Sequence, residues 1–272
     1  MVRDTSDENQ PSSAMPDDLA LLDQQAKCIE DEQKSVALVG EKVPMAELVN
    51  FYNAETSPTF LQKASELAEV YSEIRRIRGD GNCFYRAVLV GVIEILLKDR
   101  ERLARFLESS RDWIQRLVRL GFPDWTCTDF CDYFVEFLND ILTEKLDECS
   151  IFEKLNDDNS ANYLLMFFRL ITSGYLKEHT DEYEPFIANG QSMAQYCEGE
   201  IEAMWREADH LSIIGLVKAL DLLVRIEYMD RNAAPNGGFR YDIPSDTPIV
   251  PEITLLYRPG HYDLIYAKPA HK

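Results

Sequence analysis

Apolar side chains recur every three or four residues through most of the first 220 positions of the chain. Because this spacing places them on one face of a helix, it predicts a largely helical front. Gly121 and Ser160 stand where a helix needs a C-terminal stop and an N-cap. The predicted helices span about residues 17–34, 44–54, 59–77, 83–97, 101–120, 128–147, 160–178, 191–207 and 213–221.

The pattern changes after residue 221, where short segments rich in β-branched and aromatic residues lie between turn-forming residues. Such segments are typical of strands. The predicted strands are residues 222–228, 253–257 and 262–266. Residues 230–252 contain four prolines and predict a long loop, with a short hairpin near Phe239. A helical front followed by a small antiparallel sheet is an α+β architecture.

The first 35 residues differ from the rest, because they carry nine carboxylates and only three basic side chains. We interpret residues 1–35 as an acidic tail that is partly disordered, with one helix in its second half. The sequence shows no signal peptide, and no apolar run is long enough to cross a bilayer. We therefore expect a soluble monomer without a membrane partner, located in the cytoplasm, with the nucleus left open.

Composition narrows the range of partners and cofactors. The formal net charge of -20 repels phosphate backbones, so it disfavours nucleic acid and favours a neutral or basic protein partner. Six cysteines are scattered without the density of a disulfide scaffold, which indicates a reducing compartment. The sequence has no Cys-x-x-Cys motif and its four histidines are far apart, so we predict no metal site. Cys127 and Cys131 fit best as small buried hydrophobic residues.

The segment around Cys83 carries the first candidate chemistry. Gly79 and Gly81 flank Asp80 in a predicted tight loop, and Cys83 then opens an apolar helix. Unpaired backbone N–H groups and the positive end of the helix dipole favour a thiolate at such a position. The same N–H groups, with those of the loop, can hold an oxyanion that develops beside the thiol. Cys83 is therefore a candidate nucleophile.

A second motif near the C-terminus supplies a candidate base. Pro259 and Gly260 predict a tight turn, and His261 begins the strand that leaves it. Since side chains alternate along a strand, His261 and Asp263 face the same way. Asp263 can then accept the imidazole N–H and fix its tautomer, which completes a set of nucleophile, base and orienting group.

Each of these residues also has a simpler interpretation. Taken alone, Cys83 is more often an inert buried cysteine, and His261 is equally a turn histidine beside a solvated aspartate. The Asp80 side chain is equally expected to make a local turn hydrogen bond, which leaves its backbone N–H as the oxyanion donor. His210, placed at the end of a helix, fits a structural or partner-contacting histidine better than a catalytic one. Only Cys83 and His261 together favour catalysis.

The two motifs together resemble the ovarian-tumour (OTU) class of deubiquitinating cysteine proteases, and specifically its otubain branch. The motifs are Gly79-Asp-Gly-Asn-Cys-Phe-Tyr-Arg-Ala87 and Leu255-Leu-Tyr-Arg-Pro-Gly-His-Tyr-Asp263. The similarity runs from about residue 36 to 266, through Arg169-Leu-Ile-Thr-Ser-Gly-Tyr-Leu176, Glu207-Ala-Asp-His210 and Ile226-Glu-Tyr-Met-Asp-Arg231. Gly79 stands where relatives often carry proline, which should alter loop stiffness more than chemistry.

The resemblance implies an OTU-type catalytic domain over residues 36–272, with a papain-like fold in which a small sheet carries the histidine. It implies that Cys83 is the nucleophile and His261 the general base and acid. Asp263 matches the third residue, which orients the histidine, and Asp80 matches the aspartate of the oxyanion-hole loop. Such a mechanism requires no metal and no organic cofactor.

The resemblance also implies an activity and its partners. The implied activity is hydrolysis of isopeptide bonds in ubiquitin chains or conjugates, with ubiquitin and polyubiquitin as partners. The alternative is a protein that binds and inhibits ubiquitin-conjugating enzymes without cutting anything. The intact set of Cys83, His261 and Asp263 favours the enzyme, because a pure binding protein has little reason to keep it.

Overall fold

The computed structural model describes residues 37–229, 240–245 and 248–269, with Asn189 described by its backbone alone. The predicted acidic tail with its helix, and the predicted hairpin near Phe239, lie outside the described residues. The longer helices of the described chain are α1 (Ala46–Phe51), α2 (Pro58–Val70), α3 (Cys83–Leu96), α4 (Arg100–Arg119), α5 (Asp132–Leu142), α6 (Glu148–Asn156), α7 (Asp158–Glu178) and α8 (His210–Ala219). The strands are β1 (Val39–Pro44), β2 (Tyr71–Ile77), β3 (Val224–Tyr228), β4 (Arg240–Ile243), β5 (Ile253–Arg258) and β6 (His261–Ala267). These elements confirm the predicted α+β fold.

The six strands form one sheet in the order β1-β2-β6-β5-β3-β4. Neighbouring strands are antiparallel except for β3 and β5, which run parallel, so the prediction of an antiparallel sheet is wrong for this pair. Parallel neighbours need a long connection rather than a tight turn. The stretch between Tyr228 and Ile253 is long enough to provide it. The hairpin of β5 and β6 lies at the centre of the sheet.

The predicted helix 59–77 is wrong beyond Val70, where α2 ends and β2 begins. The buried residues Tyr71, Ile74 and Ile77 are three positions apart, so the same pattern also fits a helix face. Backbone pairing with β1 on one side and β6 on the other decides in favour of the strand. The front of the molecule therefore contributes two strands, β1 and β2, that the apolar pattern did not predict.

Other predicted helices are shorter than expected. Helix 128–147 ends at Leu142 and α6 follows as a separate helix. Helix 191–207 is reduced to short helical turns. These turns are Met193–Tyr196 and the π-helical Cys197–Ile201, and both precede α8. Elsewhere in the described chain, Asp124–Thr126 and the π-helical Cys127–Cys131 are similar turns that precede α5. Residues 202–209 form no regular helix or strand, and residues 207–209 line a cleft.

Caps set three helix ends. Gly121 follows α4 with a φ of 86°, as the predicted stop requires. The N-cap of α7 is Asp157, whose carboxylate accepts the N–H of Ser160, so the prediction of Ser160 as the cap is wrong. Asp209 caps α8 in the same way. His210 therefore begins a helix and does not end one.

Helix α3 lies at the centre of the hydrophobic core. Nearly all of its side chains are buried, and it packs against β6, β5 and α7. Phe134 of α5 stacks on Phe167 of α7 with ring centroids 4.1 Å apart. Because α3 begins at Cys83, the core holds that residue in place. Among the described helices, none has both the length and the apolar composition that a membrane span needs.

Candidate active site

Cys83 lies at the N-terminus of α3, directly after residues 79–82, which we call the glycine loop. It is 3% exposed, and Asn82 is the N-cap residue before it. Gly81 has a φ of 79°, which residues with a Cβ rarely adopt. A Cβ at Gly81 would also lie 2.6 Å from the carbonyl carbon of Trp205. The tight loop that the glycines predict is therefore present, and it packs directly on the segment around Trp205.

The Asp80 side chain holds this loop together. Its Oδ1 accepts the N–H of Asn82 at 3.0 Å, and its two oxygens accept both terminal nitrogens of the buried Arg86, at 2.8 and 2.7 Å. A bidentate pair of this kind fixes the carboxylate in one orientation. The Asp80 side chain thus makes the local turn hydrogen bond that the sequence offers as its simpler role. Its backbone N–H is then the group of Asp80 that is available to an oxyanion.

The structure brings His261 and Asp263 together on one face of β6. Gly260 has a φ of 70°, and the turn it forms pairs Arg258 with His261. His261 Nε2 lies 2.9 Å from Asp263 Oδ1, and both side chains are fully buried. Since an ionised carboxylate only accepts, Nε2 carries the proton and donates it to this hydrogen bond. The sequence-based expectation of a shared face agrees with this geometry.

Asp263 is anchored by two further hydrogen-bond donors and one more positive charge. Its Oδ1 accepts the backbone N–H of Ile77 at 2.9 Å, and its Oδ2 accepts Arg258 Nη2 at 2.8 Å and faces Arg76 Nη1 at 3.6 Å. Burial alone would raise the pKa of Asp263, but the charges of His261, Arg258 and Arg76 outweigh it and the net pKa is lowered. The carboxylate is therefore a fixed negative charge behind the imidazole.

Opposing influences act on the pKa of His261, and their net effect raises it. Burial acts to lower the pKa of His261, but the charge of Asp263 and the hydrogen bond to it act in the other direction, as does Cys83, and the pKa is raised to about 9. The other ring nitrogen, Nδ1, is buried and makes no hydrogen bond of normal geometry to a described residue. With Nε2 held by Asp263, Nδ1 is the nitrogen that can exchange a proton with the thiol of Cys83.

A cleft of about 310 Å³ gives access to Cys83. Tyr228, Tyr257 and Tyr262 line it as a chain of aromatic rings with centroids 5.2 and 5.1 Å apart. Residues 207–210 also line it, so His210 is a wall residue of this cleft. Within the described residues, no group of three His, Cys, Asp or Glu side chains is arranged to hold a metal ion.

Four residues without a predicted role support the site: Arg76, Asn82, Arg169 and Arg258. Arg258 lies in the same motif as His261, and the turn between them is a signal that predicts their pairing. Asn82 precedes the nucleophile. Arg169 of α7 opens one of the segments that carry the resemblance, but like Arg76 of β2 it lies far in sequence from its partners at the site.

Comparisons with known proteins agree with this geometry. The model of the family described as Peptidase C65 Otubain matches residues 31–267. The chain is 62% identical over 278 residues to the "Ubiquitin thioesterase otubain-like" of Caenorhabditis briggsae, covering 99% of this chain and 96% of the relative. It is 65% identical over 253 residues to the protein of the same name from Caenorhabditis elegans, covering 93% of this chain and 89% of the relative.

A solved structure extends the comparison to the fold. The structure of "a ceOTUB1 ubiquitin aldehyde UBC13~Ub complex" aligns with a TM-score of 0.85 and 65% identity, and it covers 90% of this chain and 100% of the solved one. Together these matches define the class of the protein, which is that of the cysteine peptidases. Within that class, the chain belongs to the otubain family. The resemblance seen in the two motifs is thereby confirmed.

Proposed function

We propose that this chain is a deubiquitinase that hydrolyses isopeptide bonds between ubiquitin and a lysine side chain, in ubiquitin chains or conjugates. Cys83, His261 and Asp263 form its catalytic set. The observation that carries the proposal is the buried pair of His261 and Asp263, 2.9 Å apart, on the turn beside a cleft that Cys83 lines. The names of the two Caenorhabditis relatives, both ubiquitin thioesterases, support the same substrate.

In the first step, the Cys83 thiolate attacks the carbonyl carbon of the isopeptide bond. The carbonyl oxygen becomes an oxyanion that accepts hydrogen bonds from backbone N–H groups of the glycine loop and the start of α3. The N–H of Asn82 is already taken by the Asp80 side chain. We therefore assign the oxyanion to the N–H groups of Asp80 and Cys83.

In the second step, His261 gives its Nδ1 proton to the lysine nitrogen as the C–N bond breaks, which leaves ubiquitin as a thioester on Cys83. A water molecule then attacks the thioester carbonyl and gives one proton to His261. The C–S bond breaks, ubiquitin leaves with a free carboxyl group, and the thiolate is restored. Asp263 holds Nε2 throughout and keeps the ring in one tautomer.

The test compares the wild type with Cys83→Ala on ubiquitin dimers of defined linkage. Loss of the nucleophile should lower turnover by about 10⁴-fold or more, because the remaining groups act only around it. Cys149→Ala is the matched control, since Cys149 is an exposed thiol on α6 whose Sγ donates to Glu153. Equal cleavage by Cys83→Ala and the wild type would refute the proposal.

A second activity is favoured by the solved relative, which was captured with a ubiquitin-loaded conjugating enzyme. We propose that this chain also binds such an enzyme. Binding does not need the nucleophile, so Cys83→Ala should keep wild-type affinity for a conjugating enzyme that carries ubiquitin. Deleting residues 1–35 should weaken this affinity, and an unchanged affinity would exclude a role for the acidic segment. We also propose that residues 36–272 form the catalytic domain and that the protein is located in the cytoplasm.

A further inference from the structure

Helix α7 carries a buried arginine that contacts the loop in front of Cys83. Arg169 is fully buried. Its Nη2 donates to Asn82 Oδ1 at 2.6 Å and to the carbonyl oxygen of Gly81 at 3.2 Å, and its Nε donates to Asn82 Oδ1 at 3.2 Å. Two of these bonds converge on one oxygen of the residue next to the nucleophile. A planar guanidinium suits such a contact, because its donors are rigidly spaced.

The same guanidinium holds the segment that packs against the glycine loop. Nη1 donates to the carbonyl oxygen of Ile201 at 2.9 Å, and Nη2 donates to that of Arg206 at 2.8 Å. Between these two residues, Trp205 has a φ of 66°, a conformation that side chains with a Cβ seldom adopt. Arg169 therefore joins two irregular segments, one of which carries strain.

These contacts fix the orientation of the Asn82 amide. Its oxygen receives N–H groups from Arg169 and also from Trp205 N, at 3.3 Å. A flipped amide would turn its NH₂ group toward these donors, which is unfavourable. Asn82 Nδ2 is buried and has no hydrogen-bond partner among the described residues. The oxygen alone thus holds the side chain of the residue that leads into Cys83.

The acceptors around Arg169 call for a side chain with several donors. In the described chain, every hydrogen bond of Arg169 goes to a neutral carbonyl or amide oxygen, and the Tyr85 ring lies 4.4 Å from the guanidinium. Burial lowers the pKa of Arg169, while the charges of Tyr85, Asp80 and Cys83 act in the opposite direction. An apolar side chain of similar size would avoid burying a charge but would leave these oxygens without their donors.

We propose that Arg169 is a positioning residue for the hydrolysis. By binding Asn82 Oδ1 and the Gly81 carbonyl, it keeps the loop that carries the oxyanion-binding N–H groups in its catalytic shape. The inference rests on the proposed function, because the oxyanion arises only when Cys83 attacks a ubiquitin carbonyl.

The test compares Arg169→Lys with Arg75→Lys, using ubiquitin with a fluorophore on its C-terminal carbonyl as substrate. Arg75 is the matched control, because it is also buried but binds Glu94 and a carbonyl of β1, away from the loop. Displaced oxyanion donors cost a large factor in rate, so kcat of Arg169→Lys should fall about 10- to 100-fold. KM should change less than twofold. Arg75→Lys should keep kcat within about twofold of the wild type.

Two further measurements separate positioning from general damage. Ubiquitin aldehyde accepts the Cys83 thiolate at its carbonyl carbon and takes up one proton to form a hemithioacetal. Its former carbonyl oxygen then lies beside the same N–H groups that hold the oxyanion in the reaction. The affinity for ubiquitin aldehyde should therefore fall by the same factor as kcat. Alkylation of Cys83 by iodoacetamide forms a C–S bond and releases iodide without an oxyanion. Its rate in Arg169→Lys should stay within about twofold of the wild-type rate.

Two results would overturn the inference: a kcat within twofold of the wild type in folded Arg169→Lys, or an equal loss in kcat and in alkylation rate. If Arg169→Lys does not fold, Asn82→Ala removes the bridging oxygen and leaves the guanidinium its carbonyl acceptors. The same pattern of a lowered kcat and an unchanged alkylation rate is then required. A wild-type protein that fails to cleave the substrate would refute the proposed function instead.

Discussion

At the scale of a single residue, Asp263 shows how surroundings decide the chemistry of a carboxyl group. Burial favours the neutral acid, but Ile77 N–H, Arg258, Arg76 and His261 all direct positive charge or a donor at the two oxygens. The pKa of Asp263 is lowered as a result. The residue remains a negative charge against the His261 ring at every pH at which the protein is expected to work.

Asp263→Asn should move the alkaline limb of the pH–rate profile to lower pH. The pKa of His261 is raised to about 9, and the proposed mechanism needs the imidazolium, so wild-type kcat/KM should fall as the pH rises through about 9. Without the charge of Asp263, burial lowers the pKa of His261 and the ring loses its proton earlier. The amide also permits the wrong tautomer, so kcat should drop by up to about 10⁴-fold. The measurement is kcat/KM against pH.

Asp242→Asn is the control for this substitution, because Asp242 pairs with Arg225 at the edge of the sheet. Its profile should match that of the wild type. Coincident alkaline limbs in Asp263→Asn and the wild type would mean that Asp263 is not the group that holds the proton on His261.

At the scale of elements, the glycine loop depends on two segments that are far apart in the chain. Gly81→Ala should lower both stability and kcat, because the new Cβ meets the Trp205 carbonyl and the backbone has a positive φ. We expect a loss of about 1–3 kcal/mol in the free energy of unfolding and at least about a tenfold loss in kcat. Denaturant unfolding and steady-state kinetics measure the two effects.

Gly121→Ala separates the effect of backbone strain from the effect of a contact between the new Cβ and Trp205. Gly121 also has a positive φ, of 86°, but a Cβ there would meet nothing within 4 Å. This variant should lose about 1 kcal/mol in the free energy of unfolding and keep the wild-type kcat. If both variants lost kcat equally, the packing of Gly81 on Trp205 would not be the cause.

Local sequence patterns predict some elements of the site, while other elements depend on neighbours that are distant in the chain. Cys83 at a helix start and His261 after a turn follow from local patterns of glycine, proline and apolar residues, and they lie where these patterns predict. The strand β2 was missed because its buried residues are spaced like those of a helix, and only its neighbours in the sheet reveal it. The roles of Arg76 and Arg169 were not predicted, although Arg169 lies in a matching segment, because their partners are distant in sequence.

At the scale of the whole molecule, strands and helices together form the cleft at Cys83, and the net charge is strongly negative. The family and the α+β fold follow from motifs that span the chain, whereas the parallel pair of β3 and β5 depends on a long connection that no motif encodes. Cytoplasmic location and the acidic tail of residues 1–35 stay predictions. The net charge of -20 does not depend on either prediction, and it should lower the stability of the folded chain through self-repulsion.

A compact chain with this charge repels itself, so added salt should stabilise it. Raising NaCl from about 20 to about 200 mM shortens the Debye length from about 20 to about 7 Å, which screens the long-range repulsion. Exposed ion pairs such as Arg100–Glu144 are weakened as well, but each contributes little. The free energy of unfolding should rise by about 1 kcal/mol and Tm by about 2–4 °C. KCl should act like NaCl, since screening does not depend on the cation, and a Tm that falls with either salt would mean that surface ion pairs outweigh the self-repulsion.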